Sequence, residues 1–161
     1  MASIRFPATI ALIAAAALAL SGCASTPAGG TDAAASDREA VRAITTAEAS
    51  AGGRAFELET DDGEWQVHVA TGDRAIEVRV SSDGATVQSS QDADALDDED
   101  RTALDAITTT LADAVRIAAG EGGDAAVDEA QLEDEGGTSV WVIEREGDET
   151  VRVSGADGTI R

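Results

Sequence analysis

Two ten-residue stretches of this chain are nearly the same. Asp37 to Thr46 reads DREAVRAITT and Asp100 to Thr109 reads DRTALDAITT, with seven of ten positions identical at an offset of 63. A repeat constrains a fold more than any single segment, because each copy is expected to build the same supersecondary unit. The parallel continues downstream. Gly72-Asp73, Ile76 to Val80 and Asp83-Gly84 in the first copy are matched, in the same order, by Gly147-Asp148, Val151 to Val153 and Asp157-Gly158 in the second.

Each copy opens on a helical pattern. In the first, Ser36 and Glu39 have the spacing of a capping box. Ala40, Val41, Ile44, Ala47 and Ala51 make a narrow apolar stripe, and Gly52-Gly53 closes it. In the second, Leu104, Ile107, Leu111, Val115 and Ala118 form one stripe that Gly120 ends. Asp97 to Asp100 stand at its start, where the helix dipole favours negative charge. This predicts a single helix from the acidic run to Gly120.

Alternating segments follow each helix. Phe56 and Leu58 alternate with Glu57 and Glu59, and Asp61-Asp62-Gly63 turns the chain. Trp65, Val67 and Val69 alternate with Gln66 and His68; Ile76, Val78 and Val80 alternate with Glu77 and Arg79. The second copy has the same order, with a weaker first strand around Ala125 to Leu132. Its middle strand, Val140 to Ile143, is apolar on both faces, so one face is expected on its own helix and the other on the first copy. The stretch from Glu121 to Gly137 is Gly-rich and acidic and reads as an exposed loop. The expectation is an α+β fold: two tandem α-β-β-β units, each a small antiparallel sheet with one helix on a face. The boundaries are 36–89 for the first unit, 90–97 for an acidic linker and 98–161 for the second.

Composition pulls the other way. After Gly22, Val, Ile, Leu and Phe supply 24 of 139 residues, and the whole chain carries a net charge of −21. So few large apolar residues at so high a charge is a signature of disorder. Periodicity, caps and turns agree with one another twice, however, which favours folding with a thin core.

The motifs together resemble the PepSY domain. The residues that carry the likeness are Ala43-Ile44, Gly52-Gly53, Glu57 to Glu59, Trp65-x-Val67-x-Val69 and Ile76 to Val87. In the second copy they are Ala106-Ile107, Val140-x-Val142 and Val151 to Ile160. The second copy departs through its long acidic loop, and neither hairpin has the Tyr that such domains often carry. These are packing and turn residues, so the resemblance bears on fold and is silent on chemistry. It implies a regulatory binding module of the kind found in propeptides of metallopeptidases, and not a catalyst.

The first 23 residues read as an address. Arg5 precedes an unbroken apolar run from Ile10 to Leu20. As a helix that run would span roughly 16 Å, about half a bilayer's hydrocarbon core, which suits a signal peptide better than a membrane anchor. Leu20-Ser21-Gly22-Cys23 resembles the lipobox of bacterial lipoproteins. That resemblance implies cleavage after residue 22 and lipidation of Cys23, which would hold the protein on the extracytoplasmic face of the cell membrane. Two or three acyl chains anchor stably where one does not. Residues 23–35, small and without a large apolar side chain, read as a flexible tether.

Charge and residue inventory exclude much of the remaining chemistry. There are 32 acidic residues against 11 basic ones, which argues against nucleic acid and against charge-driven binding to anionic lipid. One Cys and one His leave no thiolate cage and no His-pair metal motif. Neither a Gly-x-Ser-x-Gly elbow nor a Ser-x-x-Lys motif occurs. His68 stands alone on the polar side of a strand, so it reads as solvated or facing a partner. Trp65 and Trp141 read as core. Asp92 to Asp100 lacks the spacing of an EF-hand loop and reads as a linker with a helix-capping patch, and Glu133 to Glu135 reads similarly. The expectation is therefore a lipid-anchored binding module with no catalytic residues, no cofactor and no metal site. A secreted or membrane peptidase is the partner that the PepSY resemblance implies. The alternative is an envelope scaffold or sensor whose acidic surface takes divalent cations or a basic partner.

Overall fold

The computed structural model describes residues 30–161. The signal segment 1–22 and Cys23 lie outside them. The elements are α1 Gly30–Ala51, β1 Arg54–Asp61, β2 Glu64–Thr71, β3 Arg74–Val80, β4 Val87–Ala95, α2 Asp98–Ala106, α3 Leu111–Gly120, β5 Val127–Asp134, β6 Ser139–Arg145 and β7 Glu149–Ser154. All seven strands belong to one antiparallel sheet, in the order β4-β3-β2-β1-β5-β6-β7.

The expected pair of small sheets is thus a single sheet. β1 joins β5 at its centre, with Leu58 opposite Ala130 and Glu57 opposite Gln131. Left apart, β1 and β5 would each be an edge strand with a row of unpaired backbone groups. Pairing them satisfies those groups and joins two thin cores. The core so formed is continuous from Ile44, Leu58 and Val67 to Leu111, Trp141 and Val153. Twelve of the 31 buried apolar residues are alanine. Small side chains bring helix and sheet close together, so a core can form with few large residues.

The strand register assigns the faces. Leu58, Val67 and Val78 are successive partners across β1, β2 and β3, and they point to the side that α1 and α3 cover. Glu57, His68, Glu77 and Gln91 are successive partners pointing the other way. α1 and α3 pack side by side on the first face. α2 lies against β5 and β6 on the second, and the Arg54 guanidinium donates to the Leu104 carbonyl at 2.6 Å.

Several expected boundaries shift. Residues 30–35 of the expected tether are helical, so Ser36 and Glu39 lie inside α1 and make no cap. Residues 90–95 of the expected linker are strand, because β4 pairs with β3 from Val87 to Ala95. The exposed loop expected over 121–137 contains β5, whose Val127 and Ala130 are buried. The alternation there is weak because the buried positions are small.

The expected single helix from the acidic run to Gly120 is two. It breaks after Ala106, where Ile107 is extended and the amides of Thr108 and Thr109 donate to the Gly155 carbonyl at 2.9 Å. Three consecutive threonines weaken the helix locally, since branching restricts χ1 and the hydroxyl competes for backbone groups. Thr110 then caps α3 by accepting from the Asp113 amide. The break carries the chain from one face of the sheet to the other.

That crossing changes which segments correspond. The element in α1's position in the second half is α3, and not the segment 63 residues on. Ala40-Val41-Arg42 of α1 recurs in α3 as Ala114-Val115-Arg116, 74 positions later, the same interval as Gly84 to Gly158. The second face of β6 also differs from expectation. Val140 and Val142 are buried on the side where α2 lies, and not against the first copy's helix.

Candidate functional site

The polar sheet face carries a connected set of ionisable groups on β1, β2 and β3. A bulge between Ala55 and Glu57 resets the alternation of β1 and brings Phe56 beside His68, with ring centroids 6.0 Å apart. Past the bulge, Glu57 faces His68 directly, and the Nδ1–H of His68 donates to the Glu57 carboxylate at 2.8 Å. The Glu77 carboxylate stands 3.9 Å from the other ring nitrogen. The imidazole therefore lies between two carboxylates on neighbouring strands, with its side chain 22% exposed. His68 is held protonated above the usual histidine range, first by the hydrogen bond to Glu57. The same bond holds the Glu57 carboxyl below the usual carboxylate range. Sequence placed His68 correctly on the polar side but gave it no partner, because Glu57 and Glu77 become neighbours only once the register is set.

These groups border an open cavity of about 500 Å³ between the sheet face, β4 and the start of α2. His68, Glu77, Asp92, Asp94 and Asp100 supply its charge, and Phe56 and Leu96 its apolar wall. Asp97 caps α2 by accepting from the amides of Glu99 and Asp100 at 2.9 and 2.8 Å, as the acidic run suggested. Burial and then the neighbouring Asp97 raise the Asp100 carboxyl above its ordinary range. Across the face, burial and then Glu144 and Glu59 raise Glu129 likewise. The cavity lining includes no hydroxyl or thiol. Arg74 pairs with Asp92 and Arg79 stands 3.4 Å from Glu77, so Asp94 and Asp100 are the lining carboxylates with no arginine partner among the described residues, and a cation brought beside the half-buried Asp100 would favour its ionised form. Among the described residues, no group of three His, Cys, Asp or Glu side chains is placed to hold a metal ion.

The other residues singled out in the sequence have structural roles. Trp65 and Trp141 are both buried, and their indole N–H groups donate to the carbonyls of Ser82 and Thr109, each at 3.0 Å. Glu133 and Asp134 lie in β5, and the Glu135 carboxylate pairs with Arg152 at 3.1 Å. Cys23 lies outside the described residues. Among those residues, no helix is long and apolar enough to cross a membrane.

Sequence reading missed a buried ion pair. Arg145 on β6 is 3% exposed and Asp37 on α1 is 6% exposed. Their charged groups stand 4.0 Å apart. Arg145 also donates to the Gly122 carbonyl at 2.7 Å and to that of Ala125, while Asp37 accepts from the Val127 amide at 3.0 Å. The pair fastens α1 to the β5–β6 half. Its one signal in the sequence was an arginine two residues past the apolar run of Val140 to Ile143, at the end of β6.

No family model and no curated protein matches the chain. Among solved structures it is similar to a candidate lipoprotein from Clostridium difficile 630, with 20% identity over 74% of this chain and 87% of that one, and a TM-score of 0.44. A likeness that distant carries no functional argument.

Proposed function

We propose that this chain is a non-catalytic binding module, held at the extracytoplasmic face of the cell membrane by a lipid on Cys23, whose acidic sheet face receives a basic segment of a partner protein. One observation carries the binding reading: the cavity beside His68 gathers Glu77, Asp92, Asp94 and Asp100, and no hydroxyl or thiol is among its lining residues. The lipobox resemblance supports the anchor, and the PepSY resemblance points to a secreted or membrane peptidase as the partner.

Two measurements test the two parts. Cys23→Ala should move the protein out of the detergent-extracted membrane fraction; fractionation like wild type would remove the anchor from the proposal. Crosslinking of the anchored protein, followed by mass spectrometry, should recover a stoichiometric partner. Glu77→Gln combined with Asp100→Asn should weaken that capture, and so should raised salt, because the attraction is largely exposed and screened. Capture that ignores both would exclude the acidic face. A recovered partner with no peptidase activity would leave a scaffold in place of a peptidase restraint.

A further inference from the structure

We propose that the groove between α1 and α3 binds a small amphiphilic anion, a carboxylate or phosphate ester carried on an apolar chain. The groove is an open depression of about 540 Å³ on the opposite side of the sheet from the acidic cavity. Arg38 and Arg42 line it from α1 and Arg116 from α3. Three of the 11 arginines of a chain with net charge −21 therefore surround one depression.

That arrangement concentrates like charge on an exposed surface. Arg38 and Arg42 are one turn apart on the same helix, where like charges repel. Arg42 and Arg116 occupy corresponding positions of the two halves, so the packing of α1 on α3 brings both to the same groove. Carboxylates are abundant in this chain, yet few neutralise these three. Arg116 pairs with the exposed Asp113 at 2.8 Å. Arg42 donates to the Asp83 backbone carbonyl at 3.3 Å, and its charge is one of the influences that hold the Asp83 carboxyl below its ordinary range, though the two side chains form no ion pair. Arg38 takes part in none of the ion pairs among the described residues. Asp37, the one acid lining the groove, is committed to the Val127 amide and to Arg145. Positive charge remains, in guanidinium forks that match the paired oxygens of a carboxylate or phosphate.

The rest of the lining selects the other half of the ligand. Ala34, Val41, Ala119 and Gly120 offer no charged group, and a Cβ on Gly120 would meet only open space. An apolar chain attached to the anion would cover this surface. The acidic remainder of the protein repels anions at long range, so binding must come from these short-range contacts.

Hexyl phosphate should bind saturably with one-to-one stoichiometry and shift the backbone amide resonances of Val41, Arg42, Ala119 and Gly120. Inorganic phosphate should bind about tenfold more weakly and hexanol not at all. Arg38→Gln with Arg42→Gln should weaken hexyl phosphate about tenfold while leaving the melting temperature within a few degrees, since both side chains are exposed. Phosphatidylglycerol vesicles that shift the same amides would assign the anion to a lipid headgroup. Shifts from hexyl phosphate with none from vesicles would assign it to a free amphiphile. No saturable shift at these residues, or full affinity in the double variant, would overturn the site. Equal affinity for inorganic phosphate would overturn its apolar half.

Discussion

His68 shows how one residue ties protonation to stability. Its pKa is raised in the folded state, so its contribution is complete below the unfolded histidine value of about 6.5 and is lost as pH rises through the folded one. Glu57 is lowered, so its contribution is present above the ordinary carboxylate value of about 4.3 and is lost as pH falls through the folded one. Asp100 and Glu129 act oppositely: their carboxyls are raised by burial, so the fold gains stability as pH falls through those raised values. The stability gap between wild type and His68→Gln, read as urea midpoints, should therefore be wider at pH 6 than at pH 8.5. A gap that does not change with pH would break the assignment. Arg145 sets a different demand. Arg145→Met would leave Asp37 buried beside no cation, which costs about 3 kcal/mol. Adding Asp37→Asn should recover part of that loss, and chemical denaturation of the single and double variants would measure it.

At the scale of elements, the connection from β3 to β4 is set against α1 by one glycine. Gly84 has φ of 70°, and a Cβ there would run into the Glu39 carbonyl oxygen of α1. The turn is tied down by the Thr46 hydroxyl, which donates to the Gly84 carbonyl at 2.8 Å. Gly84→Ala should cost more than about 1 kcal/mol, against the small gain expected where φ is negative. Thermal melts of Gly84→Ala beside Gly120→Ala would separate the two cases, because Gly120 is helical with free space around it. Most strands could be located from alternation, since each half-buried strand shows period two. β4 escaped because its side chains from Gln88 to Gln91 are all exposed, so no apolar face marks it. β5 gave only a weak signal because Ala130 fills its core position where a large residue would have marked a strand clearly.

Over the whole molecule, the β1–β5 junction and the shared core make two sequence halves into one cooperative unit. Calorimetry should show a single transition whose van't Hoff and calorimetric enthalpies agree. Chains of residues 30–96 and 97–161 made separately should be largely unfolded, because each would expose a central strand edge and half a core. Two transitions, or a folded isolated half, would contradict this. The net charge of −21 adds self-repulsion, so moderate salt should raise the melting temperature. The sequence by itself determined the class of the fold, six of the seven strands to within a few residues, the buried tryptophans and the polar side of His68. Those features follow from local periodicity, turn chemistry and residue size. Tertiary structure decided the rest, and one tetrapeptide shows why. Ala-Ile-Thr-Thr is helical at 43–46 and leaves the helix at 106–109. At the first position Thr45 bonds back to the Val41 carbonyl and Thr46 to Gly84, so both hydroxyls are satisfied within a helix. At the second, the Gly155 carbonyl takes the two threonine amides and draws the chain across the sheet. Local preference for helix over turn is weak in so short a segment, and the partner supplied by the distant chain outweighs it.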